Sequence, residues 1–217
     1  MITEHLTRAD KKPMIIRLTK NIKIRISKPF WIVLEPEPQL ELQFQNSHPV
    51  KVPITPEGYT LRVYTPEDES QVISLLNSAG ISFNPDKLKD ALSICLPKGC
   101  FVIEHNKSRA IVAINSAQHL ADDNHPFGGR IGWFATALEH RGLGLGKITV
   151  SSSTRRLQDA GYEDIRVTTD EARIGALKVF YRVGFRPVLY NGMEERWRKV
   201  YETLGLNSDS IKVLEKK

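Results

Sequence analysis

Apolar residues alternate with polar ones in short runs near the start of the chain: Met14, Ile16, Leu18; then Ile22, Ile24, Ile26; then Leu40, Leu42, Phe44. A period of two, broken at Lys20-Asn21 and at Pro36-Glu37-Pro38, predicts an antiparallel meander with one buried face. Residues 30–34 are apolar on both faces, which suits the centre of that sheet or a strand docked on the next domain. The Pro-rich segment 46–58 then reads as a linker, so the boundaries expected are 1–57, 58–205 and a polar, frayed tail at 206–217.

Past the linker the period changes. Residues 59–64 read as a strand, and Thr65-Pro66-Glu67-Asp68 as a helix cap with acids in the first turn. The helix buries Val72, Leu75 and Leu76 and stops near Gly80. A second helix is expected over 84–97, with Cys95 on its apolar stripe, followed by strands at 100–105 and 109–116 joined by a turn. The apolar run Ile131, Trp133, Phe134, Ala135 leads into Arg141-Gly142-Leu143-Gly144-Leu145-Gly146-Lys147 and another helix-length segment. That helix is expected although Ser151-Ser152-Ser153-Thr154 are mediocre helix formers and only Val150, Leu157 and Ala160 form an apolar line. Met193, Trp197, Val200 and Leu204 predict a C-terminal amphipathic helix capped at Gly205.

Hydrophobic residues make up 41% of the 217 positions and charged residues 26%, a globular balance. No apolar run approaches the ~20 residues of a spanning helix, and the first residues do not resemble an export signal. A cytoplasmic protein with no membrane partner is expected. Cys95 and Cys100 lack metal or redox spacing and read as reduced thiols. The formal charge of +6 fits a polyanion or an anionic small ligand equally. A basic stripe, Arg17, Lys23 and Arg25, has no interleaved aromatics to stack on bases, which disfavours nucleic acid. Asp122, Asp123 and His125 have the chemistry to hold a metal or a cationic amine, but beside Pro126 and Gly128-Gly129 they read as a solvated loop, so no metal is expected.

A strand, a glycine turn and a helix start make an anion site, because N–H groups of a turn without Cβ atoms and the first N–H groups of the helix converge on one oxyanion. The spacing excludes a dinucleotide fingerprint, which needs Gly where Lys147 stands. It also excludes a P-loop, which needs Gly at Arg141 and Ser or Thr at Ile148. What remains, Arg-x-x-Gly-x-Gly, resembles the coenzyme A pyrophosphate loop of the GNAT N-acetyltransferase superfamily. The strand 164–170 and the run from Arg173 to Gly184-Phe185 resemble that family's closing signature.

The resemblance implies an α/β fold: a mixed, central antiparallel and parallel sheet flanked by helices, here with an N-terminal β-meander extension. It implies acetyl-CoA as cosubstrate and direct transfer to an amine acceptor, a small molecule or a peptide or protein amine. It also implies that the backbone of Gly142, Leu143, Gly144, Leu145, Gly146 and Lys147 cradles the pyrophosphate, with Arg141 opening the loop. Phe134, Ala135 and Thr136 correspond to the strand break that supplies oxyanion donors and receives the pantetheine arm. Where relatives have a tyrosine this chain has Phe180; Tyr181 beside it is the candidate acid, and the other reading is that the thiolate leaves without one. Arg173 replaces a usual Asn and can reach the phosphates. Glu104, Asp170 or a water chain can take the amine's proton. Two other readings stay open: an acyl-CoA-binding module with little turnover, favoured by Phe180, and a transferase tethered to a macromolecule by its basic sheet. The β extension also offers a surface for a homodimer.

Overall fold

The computed structural model describes residues 15–18, 22–27, 31–36, 38–45, 48–121, 125–190, 192–206 and 214–215, with side chains described between 38 and 206. The chain divides into two compact units, Met1–Gln39 and Leu40–Lys217. In the first, β1 (Ile15–Leu18), β2 (Ile22–Ser27) and β3 (Trp31–Pro36) form an antiparallel meander. Its centre is β2 and not the doubly apolar run, because two consecutive hairpins place the middle strand in sequence in the middle of the sheet. The register sets Arg17 opposite Lys23 and Ile15 opposite Arg25.

The third alternating run has a different place. Strand β4 (Leu40–Phe44) belongs to the second unit and lies between two strands from the far end of the chain. The eight-stranded order is β11-β10-β4-β9-β8-β7-β6-β5. Here β5 is Tyr59–Val63, β6 Cys95–His105, β7 Ala110–His119, β8 Gly129–Thr136, β9 Ile165–Thr169, β10 Phe185–Leu189 and β11 Leu214–Glu215. Strands β5 to β8 are successively antiparallel, β8 and β9 are parallel, and β4 runs antiparallel to both β9 and β10. The segment read as an interdomain linker is therefore a crossover within this unit. Val50 is buried and its N–H donates to Gln158 Oε1 at 2.7 Å, while Gln158 Nε2 donates to the His48 carbonyl at 3.1 Å.

Helix α1 (Glu69–Ser78) follows a 3-10 turn at Pro66–Asp68 capped by Thr65, whose N–H donates to Asp68 Oδ2 at 2.9 Å. Helix α2 (Pro85–Ser93) is capped by Asn84 and ends before the expected position, so Cys95 opens β6 opposite Gln118. The α1 and α2 residues Val72, Leu75, Leu76 and Leu88 pack on one side of the sheet with Val102, Ile114 and Ala135. The other side carries α3 (Leu145–Asp159), α4 (Ile174–Val183) and α5 (Glu194–Leu204) around a core of Leu40, Leu42, Phe44, Val167, Phe180 and Trp197.

In α3, Ser151 through Thr154 are all buried. Two of their hydroxyls fold back on the helix: Ser152 Oγ donates to the Ile148 carbonyl at 2.9 Å and Thr154 Oγ1 to that of Val150 at 2.8 Å. These small side chains are buried beside the apolar Ile148, Val150 and Leu157, so the buried face of the helix is wider than its apolar line.

Candidate active site

Strands β8 and β9 pair only at Gly129–Ile165 and Arg130–Arg166. No further pair joins them, and a cavity of about 520 Å³ is lined by the far end of β8, the glycine loop and one face of α4 from Gly175 to Arg182. The break in β8 is a bulge. Ile114 pairs with Ala135 and Ser116 with Gly132, so Asn115 alone faces Trp133 and Phe134. Asn115 Nδ2 bridges it by donating to the Gly132 carbonyl at 2.8 Å. The irregularity begins one residue earlier than expected, at Trp133. Ala135 and Thr136 are back in register with β7 while still lining the cavity.

The three loop glycines serve different ends. Gly142 has φ +84° and Gly144 φ +79°, a region costly for any residue with a Cβ, and nothing lies within 4 Å of where their Cβ atoms would be. They turn the chain and leave open space in front of it. Gly146 is set by packing, because a Cβ there would come 2.7 Å from Phe134 Cζ. That ring belongs to a stack running from Phe134 to Phe180 to Phe185, with centroids 5.6 and 5.9 Å apart. The first residues of α3, whose N–H groups lack intrahelical acceptors, line the cavity.

Arg141, Lys147, Arg173, Lys178 and Arg182 contribute to the wall, and no carboxylate does among the described residues. Arg141 Nε donates to the Thr136 carbonyl at 3.2 Å, and Arg173 Nη2 to the Ala79 carbonyl at the end of α1 at 3.3 Å. Thr136 Oγ1 is buried with no partner. His140, also in the wall, is within hydrogen-bonding distance of the Tyr59 hydroxyl, 2.8 Å from Nδ1. Lys178, Arg182, His140 and the Thr136 hydroxyl were not singled out from the sequence. The i, i+4 spacing of Lys178 and Arg182 was the available signal.

The other predicted residues lie apart. Leu143 is exposed at the loop tip, and Phe180 is 2% exposed beneath the cavity, supporting Phe134. Tyr181 does not reach the cavity: its ring meets Tyr201, and the Arg186 guanidinium lies 4.2 Å from its centroid. Helix α4 is regular through both positions, so the ~100° step from Phe180 turns Tyr181 away. Glu104 is buried between Arg62, at 2.9 Å, and Arg109, at 2.5 Å, away from the wall. Asp170 stands beside it, with Oδ2 3.9 Å from Arg173 Nε. Asp122 and Asp123 lie outside the described residues, and His125 Nδ1 is 2.9 Å from Asp164.

A model of the acetyltransferase (GNAT) family matches residues 70–185, more than half of the chain. The chain belongs to the GNAT family. This GNAT chain is 25% identical over 140 residues to mycothiol acetyltransferase of Paenarthrobacter aurescens (strain TC1), covering 60% of the chain and 43% of that protein. A second mycothiol acetyltransferase, from Pseudarthrobacter chlorophenolicus, is 25% identical over 153 residues, covering 64% and 47%. The chain thus spans less than half the length of these curated relatives. Among solved structures, a GCN5-related N-acetyltransferase from Sphaerobacter thermophilus superposes with a TM-score of 0.56 at 19% identity, over 70% of this chain and 49% of that one, and so shares the GNAT fold.

Proposed function

We propose that this chain transfers an acetyl group from acetyl-CoA to an amine acceptor by direct attack. The observation that carries the reading is the cavity wall: an open glycine loop at a helix N-terminus, surrounded by cations and with no carboxylate among the described residues. It suits a diphosphate, and membership of the GNAT family supports coenzyme A as its bearer. Bound there, acetyl-CoA supplies an activated acetyl thioester. The N–H groups of 142–147, with Arg141, Lys147 and Arg173, hold the phosphates. The Thr136 hydroxyl is available to the pantetheine arm, and the bulge at Trp133–Phe134 frees backbone groups for the acyl oxygen.

The amine nitrogen bonds to the acyl carbon as the C–S bond breaks, and the thiolate departs. A thiol with a pKa near ~8.5 leaves without an acid, so Phe180 and the remote Tyr181 do not count against turnover. The amine's proton is assigned to Asp170, which adjoins the wall residues Ala172 and Arg173, whereas Glu104 lies away from the wall. Two free cysteines, one buried with its thiol pKa pushed up by desolvation, fit a cytoplasmic setting. The test is thiol release from acetyl-CoA with a panel of amines. Amine-dependent release that falls by about a hundredfold in Asp170→Asn is expected; binding without release on any amine would leave only a binding module.

A further inference from the structure

On β9, Ile165, Val167 and Thr169 are buried while Arg166 and Thr168 alternate onto the other face, the side of the sheet opposite α3 to α5. Arg130 on β8 is in parallel register with Arg166 and opposite Gln118 of β7, so two guanidinium groups stand side by side on that face. Like charges in register repel, and each needs an anion. Arg166 has two, Glu41 and Asp164, with Nε 2.7 Å from Asp164. Arg62 likewise has Asp68 and Glu104, and Arg196 has Glu171.

Arg130 differs. Its one hydrogen bond is from Nη2 to Thr168 Oγ1, at 3.2 Å. Its Nε is buried with no partner, and no carboxylate pairs with it among the described residues. Desolvation pulls its pKa down, with no compensating charge. A half-buried cation without a counterion is costly, and removing it should not harm the fold. Its position gives that cost a use. Arg130 is three residues before the bulge, about 10 Å along the strand at ~3.3 Å per residue, where β8 and β9 are still joined. Thr168 follows Arg166 on that face, and β9 ends at Thr169, one residue before Asp170, the proposed proton acceptor.

We infer that Arg130 receives a carboxylate of the acceptor, and that the acceptor is therefore a small amine bearing a carboxylate several bonds from its nitrogen. The inference rests on the acetyl-transfer reading. A guanidinium fork takes a carboxylate or a phosphate. The single unpaired charge, with Glu41 on β4 and Asp164 just before β9 already paired to Arg166, selects a monoanion over a dianion.

The test is calorimetric binding of ω-amino carboxylates, from glycine to 6-aminohexanoate, and of the matching amides, to the chain loaded with coenzyme A. In the wild type the best acid is expected to bind at least about tenfold tighter than its amide. In Arg130→Gln the ratio falls to within about twofold, and Arg130→Lys, which keeps the charge but loses the fork, lies between them. A melting temperature of Arg130→Gln equal to or above the wild type excludes misfolding as the cause. A wild type that does not prefer acids, or an Arg130→Gln chain that still does, overturns the inference. Arg130-dependent acid binding in a chain that releases no thiol would uphold this site and reject acetyl transfer.

Discussion

Tyr181 and Phe180 show how far one residue step decides chemistry. Phe180 is locked in a ring stack under the cavity, and Tyr181 is held on the far side by Arg186 and Tyr201. A positioned acid contributes about 10²–10⁴-fold to a rate. Tyr181→Phe is therefore expected to keep kcat within about twofold of the wild type in a thiol-release assay; a loss approaching a hundredfold would return the acid role to Tyr181. Gly142 and Gly144 were legible in the sequence because positive φ selects glycine almost uniquely, whereas the reason for Gly146, the Phe134 ring beside it, was not. Arg130 was not, since its singularity lies in which carboxylates stand near the other arginines, and that is set by strand register.

At the scale of elements, α3 shows how a buried face can be wider than its apolar line. Val150 and Leu157 of the expected line are buried and Ala160 is exposed, while Ser151, Ser152, Ser153 and Thr154, which a hydrophobic pattern counts as solvent-facing, are buried as well. Ser153 Oγ is fully buried and lacks a partner, unlike Ser152 and Thr154, which bond back to the helix. Ser153→Ala is thus expected to raise stability by about 1 kcal/mol, read as a higher melting temperature; a clear loss would mean that the hydroxyl is bonded. Helix α2 (Pro85–Ser93) is shorter than its apolar period suggests. Leu92 and Cys95 continue the helical period, but Cys95 pairs with Gln118 in β6, and tertiary pairing outweighs a local period. The amphipathic α5, with Trp197 and Val200 buried and Gly205 at φ +67°, needed no such correction.

Across the whole molecule, the strand order and the placing of β4 could not be read from the chain. Leu40, Leu42 and Phe44 alternate as any half-buried strand does, and nothing local states that their partners are Val167 and Phe185 more than a hundred residues away. Long-range charge pairs tie the other edge of the sheet. Arg62 on β5 holds Asp68 at 2.7 Å and Glu104 at 2.9 Å. The Arg62 hydrogen bond, against the opposing cost of burial, keeps the Asp68 carboxyl below its ordinary pKa. A carboxylate lowered on folding gives stability that is complete above its unfolded value of ~3.9 and is lost as pH falls through the folded value. Asp68→Asn is expected to cost on the order of 2 kcal/mol at neutral pH and to flatten the acid limb of stability below pH ~4. Denaturant melts of both proteins across pH 2.5–7 check this, and parallel acid limbs would contradict it. For the site itself, the deciding quantity is the ratio of dissociation constants for acetyl-CoA and S-acetylpantetheine, which share the thioester and differ in the nucleotide diphosphate. If the glycine loop and the five cations of the wall hold the phosphates as proposed, acetyl-CoA binds at least about a hundredfold tighter; equal affinity for the two would contradict the proposal.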